Sequence, residues 1–360
     1  MEISLEALLK RAVESNASDI HMKVGSPPTI RIDGELRRLA DVDVLKPGDT
    51  EAMAQSIFSQ KAANQFKETG EADFAYGRHD LGRFRVAAFR QRGSVSLVMR
   101  RVMPGVPQLD RLGLPPVARK IAGEERGLVL VTGPSGSGRS TTVAAIVEYI
   151  NQNRPVSIMT AEDPIEVLFP DKMAVVAQRE VGVDTPSYAD AIRKAMRQDA
   201  DVIMVSEISD AETAMAAVAA AETGHLVVAA MHTGDPVSTI DRLIGLFPRP
   251  LQETARLQVS HLMRGVISQR LVETTEATGR VLATEILTGN AKVQELIASD
   301  APREALLDVI KESEFFGMQS FDQALLGLVK QKRVSVSGAL AFVRNTHEFR
   351  ARALEAGVDV

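Results

Sequence analysis

The chain has 360 residues, enough for two or three domains and a large core without metal or disulfide support. Its 42 basic residues against 47 acidic ones leave a net charge of −5, which argues against a main role in coating nucleic acid. The absence of Cys excludes disulfides, thiolate chemistry, iron–sulfur clusters and cysteine-built zinc sites, though not His/carboxylate metal sites.

The first ten residues lack the basic start and long apolar stretch of a signal peptide. The most apolar windows, 215–221 and 226–231, are far shorter than the ~18–20 residues needed to span a bilayer. The chain therefore reads as soluble, with the cytoplasm as default.

In chain order, Leu5, Leu8, Leu9 and Val13 recur at helical spacing and predict an amphipathic helix over 3–14. Strands are predicted at 19–24, 29–32 and 35–39, the last two joined by a tight turn at Asp33-Gly34. A helix is expected over 50–69, then strands at 73–76, 83–90 and 94–101, making 1–101 an α+β domain. Residues 102–116, with four Pro and two Gly between 103 and 116, read as a linker. Beyond it, strands at 127–132, 155–160, 202–205 and 225–231 alternate with helices at 140–151 and 210–222. That order predicts an α/β core with a mainly parallel sheet over 117–290. Residues 291–360 read as a helical region, with 321–329 as one amphipathic piece.

The strongest signal is Gly133-Pro134-Ser135-Gly136-Ser137-Gly138-Arg139-Ser140-Thr141, placed after a hydrophobic strand and opening a helix. A phosphate-binding loop needs this context. The glycines let backbone N–H groups turn inward around phosphate oxygens, and the helix N-terminus adds the positive end of its dipole. Ser140 is placed to ligate Mg²⁺. The motif expects Lys where this chain has Arg139, whose planar fork is longer and bulkier than an ammonium.

An ATP-hydrolysing loop also needs a carboxylate at a second strand end, for Mg²⁺ and the attacking water. Glu207 ends the apolar run 202–205 and fits that position. Glu162 lies in a second acidic turn, 160–164, where it can polarise water or simply cap a helix. His225 and His232 flank the next strand, and either a structural role or γ-phosphate sensing suits them.

These residues carry a resemblance to the secretion and type IV pilus ATPase superfamily, in particular to its PilT/PilU-type retraction motors. The carrying segments are 127–142, 161–166, 178–207, 221–233 and 240–248, with SDIHM (18–22), GRFRVAAFRQRG (82–93) and GMQSFDQALLGLV (317–329). The resemblance implies a PAS-like N-terminal domain joined by a mobile linker to a RecA-like ATPase domain, and a homohexameric ring that binds ATP and Mg²⁺. It implies that Arg85 and Arg100 bring positive charge to the phosphates, with Arg197 a further candidate. It also implies pilus retraction through an inner-membrane platform protein, at the cytoplasmic face of the membrane, with no nucleic-acid partner and no membrane insertion. The chain departs from the family pattern at Arg139, at Ser206 and Ser209 around Glu207, and at 291–300, where the retraction motif is degraded.

These departures keep a second reading open: a nucleotide-binding, weakly hydrolysing partner of a paralogous retraction ATPase. A DNA helicase or packaging motor is a third, disfavoured by the charge and by having only 12 Phe, 3 Tyr and no Trp. The missing cysteines also exclude the tetracysteine zinc module typical of extension-type relatives.

Overall fold

The computed structural model describes residues 4–32, 34–102, 105–276 and 279–358. Asp33 of the predicted turn and Met103 and Pro104 of the predicted linker lie outside the described residues. The chain forms two compact units, 1–105 with 166–168, and 106–165 with 169–360.

The first unit is α+β. Its elements are α1 (Leu5–Glu14), β1 (Asp19–Lys23), β2 (Thr29–Ile32), β3 (Glu35–Arg38), α2 (Pro47–Ile57), α3 (Gln60–Thr69), β4 (Glu71–Arg78), β5 (Gly82–Gln91) and β6 (Ser94–Arg101). The six strands form one antiparallel sheet in the order β3-β2-β1-β6-β5-β4. Period-two alternation turns Phe84, Val86 and Ala88 of β5 into the core and leaves Arg85 exposed on the other face. Leu8 and Leu9 of α1, Met53 and Ala54 of α2, and Phe66 of α3 cover the apolar face. The predicted single helix over 50–69 is two. Phe58 turns extended, and the Ser59 hydroxyl accepts from Ala62 N to start α3.

The second unit holds the α/β core. It begins with α4 (Val117–Ala122), β7 (Gly127–Thr132), α5 (Arg139–Asn153), β8 (Ser157–Glu162), β9 (Val175–Glu180), α6 (Tyr188–Ala195), β10 (Val202–Val205), α7 (Ala211–Glu222) and β11 (Leu226–Met231). It continues with α8 (Pro236–Gly245), α9 (Gln252–Leu262), β12 (Met263–Glu273), β13 (Arg280–Thr288), α10 (Ala291–Ala298), α11 (Arg303–Glu312), α12 (Phe321–Lys330), α13 (Val336–Leu340) and α14 (Thr346–Glu355). Seven strands form one sheet, β13-β12-β7-β11-β10-β8-β9, parallel except for β13. Every residue of β7, β10 and β11 is buried, as strands covered on both faces require. Within 102–116, which was expected to lack regular structure, Leu109–Arg111 forms one 3₁₀ turn.

The C-terminal helices pack on β12 and β13 through an apolar cluster that includes Val272, Val281, Phe321, Leu325 and Phe349, and one buried carboxylate adds to it. Glu285 on β13 is fully buried and accepts a 2.7 Å hydrogen bond from Arg344, while its other carboxylate oxygen has no partner among the described residues. Burial pushes its pKa up to about 7, with Arg344 opposing the shift. A raised folded-state value means that the stabilisation is complete below the ordinary carboxylate range and is lost as pH rises through about 7. Glu285→Gln should remove this dependence. Between pH 5 and pH 8 the stability difference should move by about 2–3 kcal/mol in favour of the Gln variant, read from denaturant midpoints. A gap that stays constant with pH would contradict the assignment.

Candidate active site

Strand β7 delivers the chain at Thr132 into the glycine-rich loop, and α5 starts at Arg139. Gly133 has φ 152°, and a Cβ there would stand 2.4 Å from the Gln269 backbone oxygen and 2.5 Å from Ser137 Oγ. Only glycine fits. Gln269, from β12, also donates from Nε2 to the Ser137 carbonyl at 2.8 Å, so a strand distant in sequence shapes the loop. The Ser137 hydroxyl and the Gln269 amide oxygen are buried without a hydrogen-bond partner among the described residues.

Gly138, with φ 87°, is the N-cap of α5, and among the described residues no side chain caps that helix. Its first N–H groups therefore lack a side-chain acceptor, which is the arrangement that receives a phosphate. Pro134, Ser135 and Gly136 are exposed, as are Ser140 and Thr141 on the first helical turn. The loop thus fits a nucleotide polyphosphate.

Arg139 folds back over this loop. One guanidinium nitrogen donates to the Gly133 carbonyl, and the other lies 2.7 Å from His232 Nε2. Burial lowers its pKa from the ordinary value, and Glu207 opposes that shift. Glu207, just past β10, places Oε2 3.4 Å from the same His232 nitrogen. Arg139, Glu207 and His232 are therefore one cluster.

Glu162 differs from expectation. The sequence suggests a turn carboxylate; in the structure β8 runs on to Glu162, paired with Glu180 of β9. Glu162 is buried and accepts from the Thr160 hydroxyl at 2.6 Å and from the Gln178 amide at 2.9 Å. The two histidines are not brought together. They stand at opposite ends of β11, roughly 20 Å apart at ~3.3 Å per strand residue. His225 bonds Ala220 O at 2.9 Å and lines a cleft of about 640 Å³ with Arg126, Arg154 and Asp201. Arg197 is exposed in the turn after α6. Arg85 and Arg100 lie in the first unit, in register on β5 and β6, and Arg100 Nε donates to the buried Asp19 at 2.8 Å.

Among the described residues, no group of three or more His, Asp or Glu is arranged to hold a metal alone. Mg²⁺ needs less from a protein when phosphates and waters complete its shell. Ser140 and Glu207 would hold it, and its contribution would be to neutralise phosphate charge.

Sequence reasoning missed four supporting groups. Gln178 orients Glu162 and Gln269 shapes the loop. Tyr188 bonds Ser206 at 3.0 Å, with its pKa pushed up to about 12 by burial. The fourth is a chain of hydroxyls. Thr132 meets Ser268 at 2.6 Å, Thr239 meets Thr233 at 2.6 Å, and Thr239 donates to Asp235 O at 2.7 Å. Arg303 of α11 clamps Asp235 at 2.6 Å and Ser238 at 3.0 Å. Arg303→Gln should therefore cost about 1–2 kcal/mol of stability, measured by urea unfolding. An unchanged midpoint would show that the clamp is dispensable. The signal available in sequence was the polar pair Ser268-Gln269 inside an apolar run.

A glycine loop between a buried parallel strand and an uncapped helix, with an acidic strand end beside it, defines a P-loop domain of the RecA-like type. Residues 1–331 match the family described as Type II/IV secretion system protein. The type IV pilus retraction ATPase PilT of Pseudomonas aeruginosa is 38% identical over 337 residues, covering 94% of this chain and 97% of PilT. The type IV pilus ATPase PilU of the same organism is 35% identical, covering 97% and 91%. The crystal structure of the pilus retraction motor PilT with bound ADP matches with a TM-score of 0.87 at 41% identity, over 97% of this chain and 100% of that one. The chain belongs to the type II/IV secretion ATPase family, in its branch of PilT- and PilU-type pilus ATPases.

Proposed function

We propose that this protein is a homohexameric, ATP-driven motor that powers retraction of a type IV pilus. The observation that carries the reading is the likeness to PilT over nearly the full length of both chains. The motor would work in the cytoplasm at the inner face of the membrane, against a platform protein, with a paralogous retraction ATPase as a further partner. Among the described residues no helix is long and apolar enough to cross a membrane.

In this reading the loop amides of Gly133 and of residues 135–141 bind the phosphates of ATP, and Ser140 and Glu207 hold Mg²⁺. Glu207 orients the attacking water and takes its proton. Glu162, held by Thr160 and Gln178, supplies a fixed carboxylate nearby, and His232 faces the γ-phosphate. Arg85 and Arg100 form the basic pair that the retraction-motor resemblance assigns to phosphate charge.

The contact of Arg139 with Gly133 O and His232 favours a second reading, a weakly hydrolysing partner of an active retraction motor. ATP turnover by the purified protein and by Arg139→Lys separates the two. Native turnover close to that of the Lys variant supports the independent motor and removes the partner reading. Undetectable native turnover with ATP still bound does the reverse.

A further inference from the structure

We propose that Arg139 is a latch on the phosphate loop and the positioning residue for His232. Nucleotide entry would break its bonds to Gly133 O and His232 Nε2 and so release His232. The proposal rests on the nucleotide-binding reading given above.

A guanidinium carries five N–H donors and no acceptor. At 2.7 Å from Arg139, His232 Nε2 must therefore accept, using its lone pair. The same nitrogen lies 3.4 Å from Glu207 Oε2, a partner to which it can only donate. One ring nitrogen thus has two neighbours with opposite demands, and the arginine holds it at the shorter distance. The other arm of the guanidinium is bonded to the Gly133 carbonyl, at the mouth of the loop. Arg139 consequently ties the first residue of the loop to the residue after β11. It does so while the buried Ser137 hydroxyl has no partner among the described residues.

A phosphate offers the guanidinium stronger, bidentate acceptors than a carbonyl and an imidazole. Once the fork turns to phosphate oxygens, His232 is free to turn to Glu207 or to the ligand. Loop occupancy would then be reported to the proposed catalytic carboxylate through a single side chain. An ammonium at this position, with a compact head and no planar fork, would not bridge the two sites in the same way.

The test is a double-mutant cycle read by binding, with methylanthraniloyl-ADP and Mg²⁺ as probe. His232→Ala alone should tighten ADP binding roughly fivefold, the worth of one hydrogen bond no longer broken on entry. In the Arg139→Lys background the same change should give no tightening. Equal effects in both backgrounds, or weaker binding on His232→Ala alone, would overturn the latch. Hydrogen exchange on the nucleotide-free protein supplies a second readout. Amides 135–138 should exchange faster in His232→Ala than in the native protein, with no further increase when the change is added to Arg139→Lys. Unchanged exchange in His232→Ala overturns the proposal. If no variant binds the probe, the nucleotide reading itself fails, and the exchange data alone decide the latch.

Discussion

Glu207→Gln is expected to lower ATP turnover at least a hundredfold while leaving ADP affinity within about threefold. The carboxylate sits just beyond the fully buried β10, so the amide replaces it without disturbing the core. Gln preserves the shape and can still accept a hydrogen bond, but it cannot take a proton from water. Its side chain meets His232 at 3.4 Å and its charge also reaches Arg139, but the loop is fixed by Gln269, so the loop that would bind the phosphates should keep its form. Phosphate release and fluorescent-ADP titration measure the two quantities separately. Turnover within tenfold of native would move the base elsewhere, with Glu162 the next carboxylate to test.

Gly133→Ala is expected to abolish measurable nucleotide binding and to cost about 2 kcal/mol or more of stability. The backbone there has φ 152°, and the added Cβ would collide with the Gln269 backbone and with Ser137 Oγ. The serine hydroxyl can turn aside but the Gln269 oxygen is backbone, so the loop itself must move. ADP titration and thermal unfolding of the variant check both parts. Native-like binding would show that the loop tolerates a second shape.

Much of this arrangement is legible in the residues. The buried strands announce themselves as short apolar runs, and β7 and β10 fall at their predicted bounds. The phosphate loop is readable because its chemistry demands glycines at fixed spacing between a strand and a helix. What escaped has physical causes. Strand β12 carries Ser268, Gln269 and Arg270 within an otherwise apolar run, and those polar groups mask its period. They are there because the loop needs Gln269 and the hydroxyl chain needs Ser268. Glu162 reads as a turn residue because it follows the predicted strand 155–160 and precedes Asp163-Pro164; pairing with β9 extends the strand through it. The two histidines look equivalent in sequence, seven positions apart. Only the length of β11 tells them apart, leaving His232 at the loop and His225 at the far edge.

The support that Gln269 gives to the phosphate loop sets a lower limit on what can be excised from this protein. A fragment ending after α9 would retain five parallel strands and every residue of the glycine motif, yet the loop would lose the amide that fixes the Ser137 carbonyl. The smallest piece with a shaped loop must extend through β12. That strand is completed by β13, whose buried Glu285 needs Arg344. Domain dissection at the edge of the motif would therefore yield a folded sheet with an unformed site.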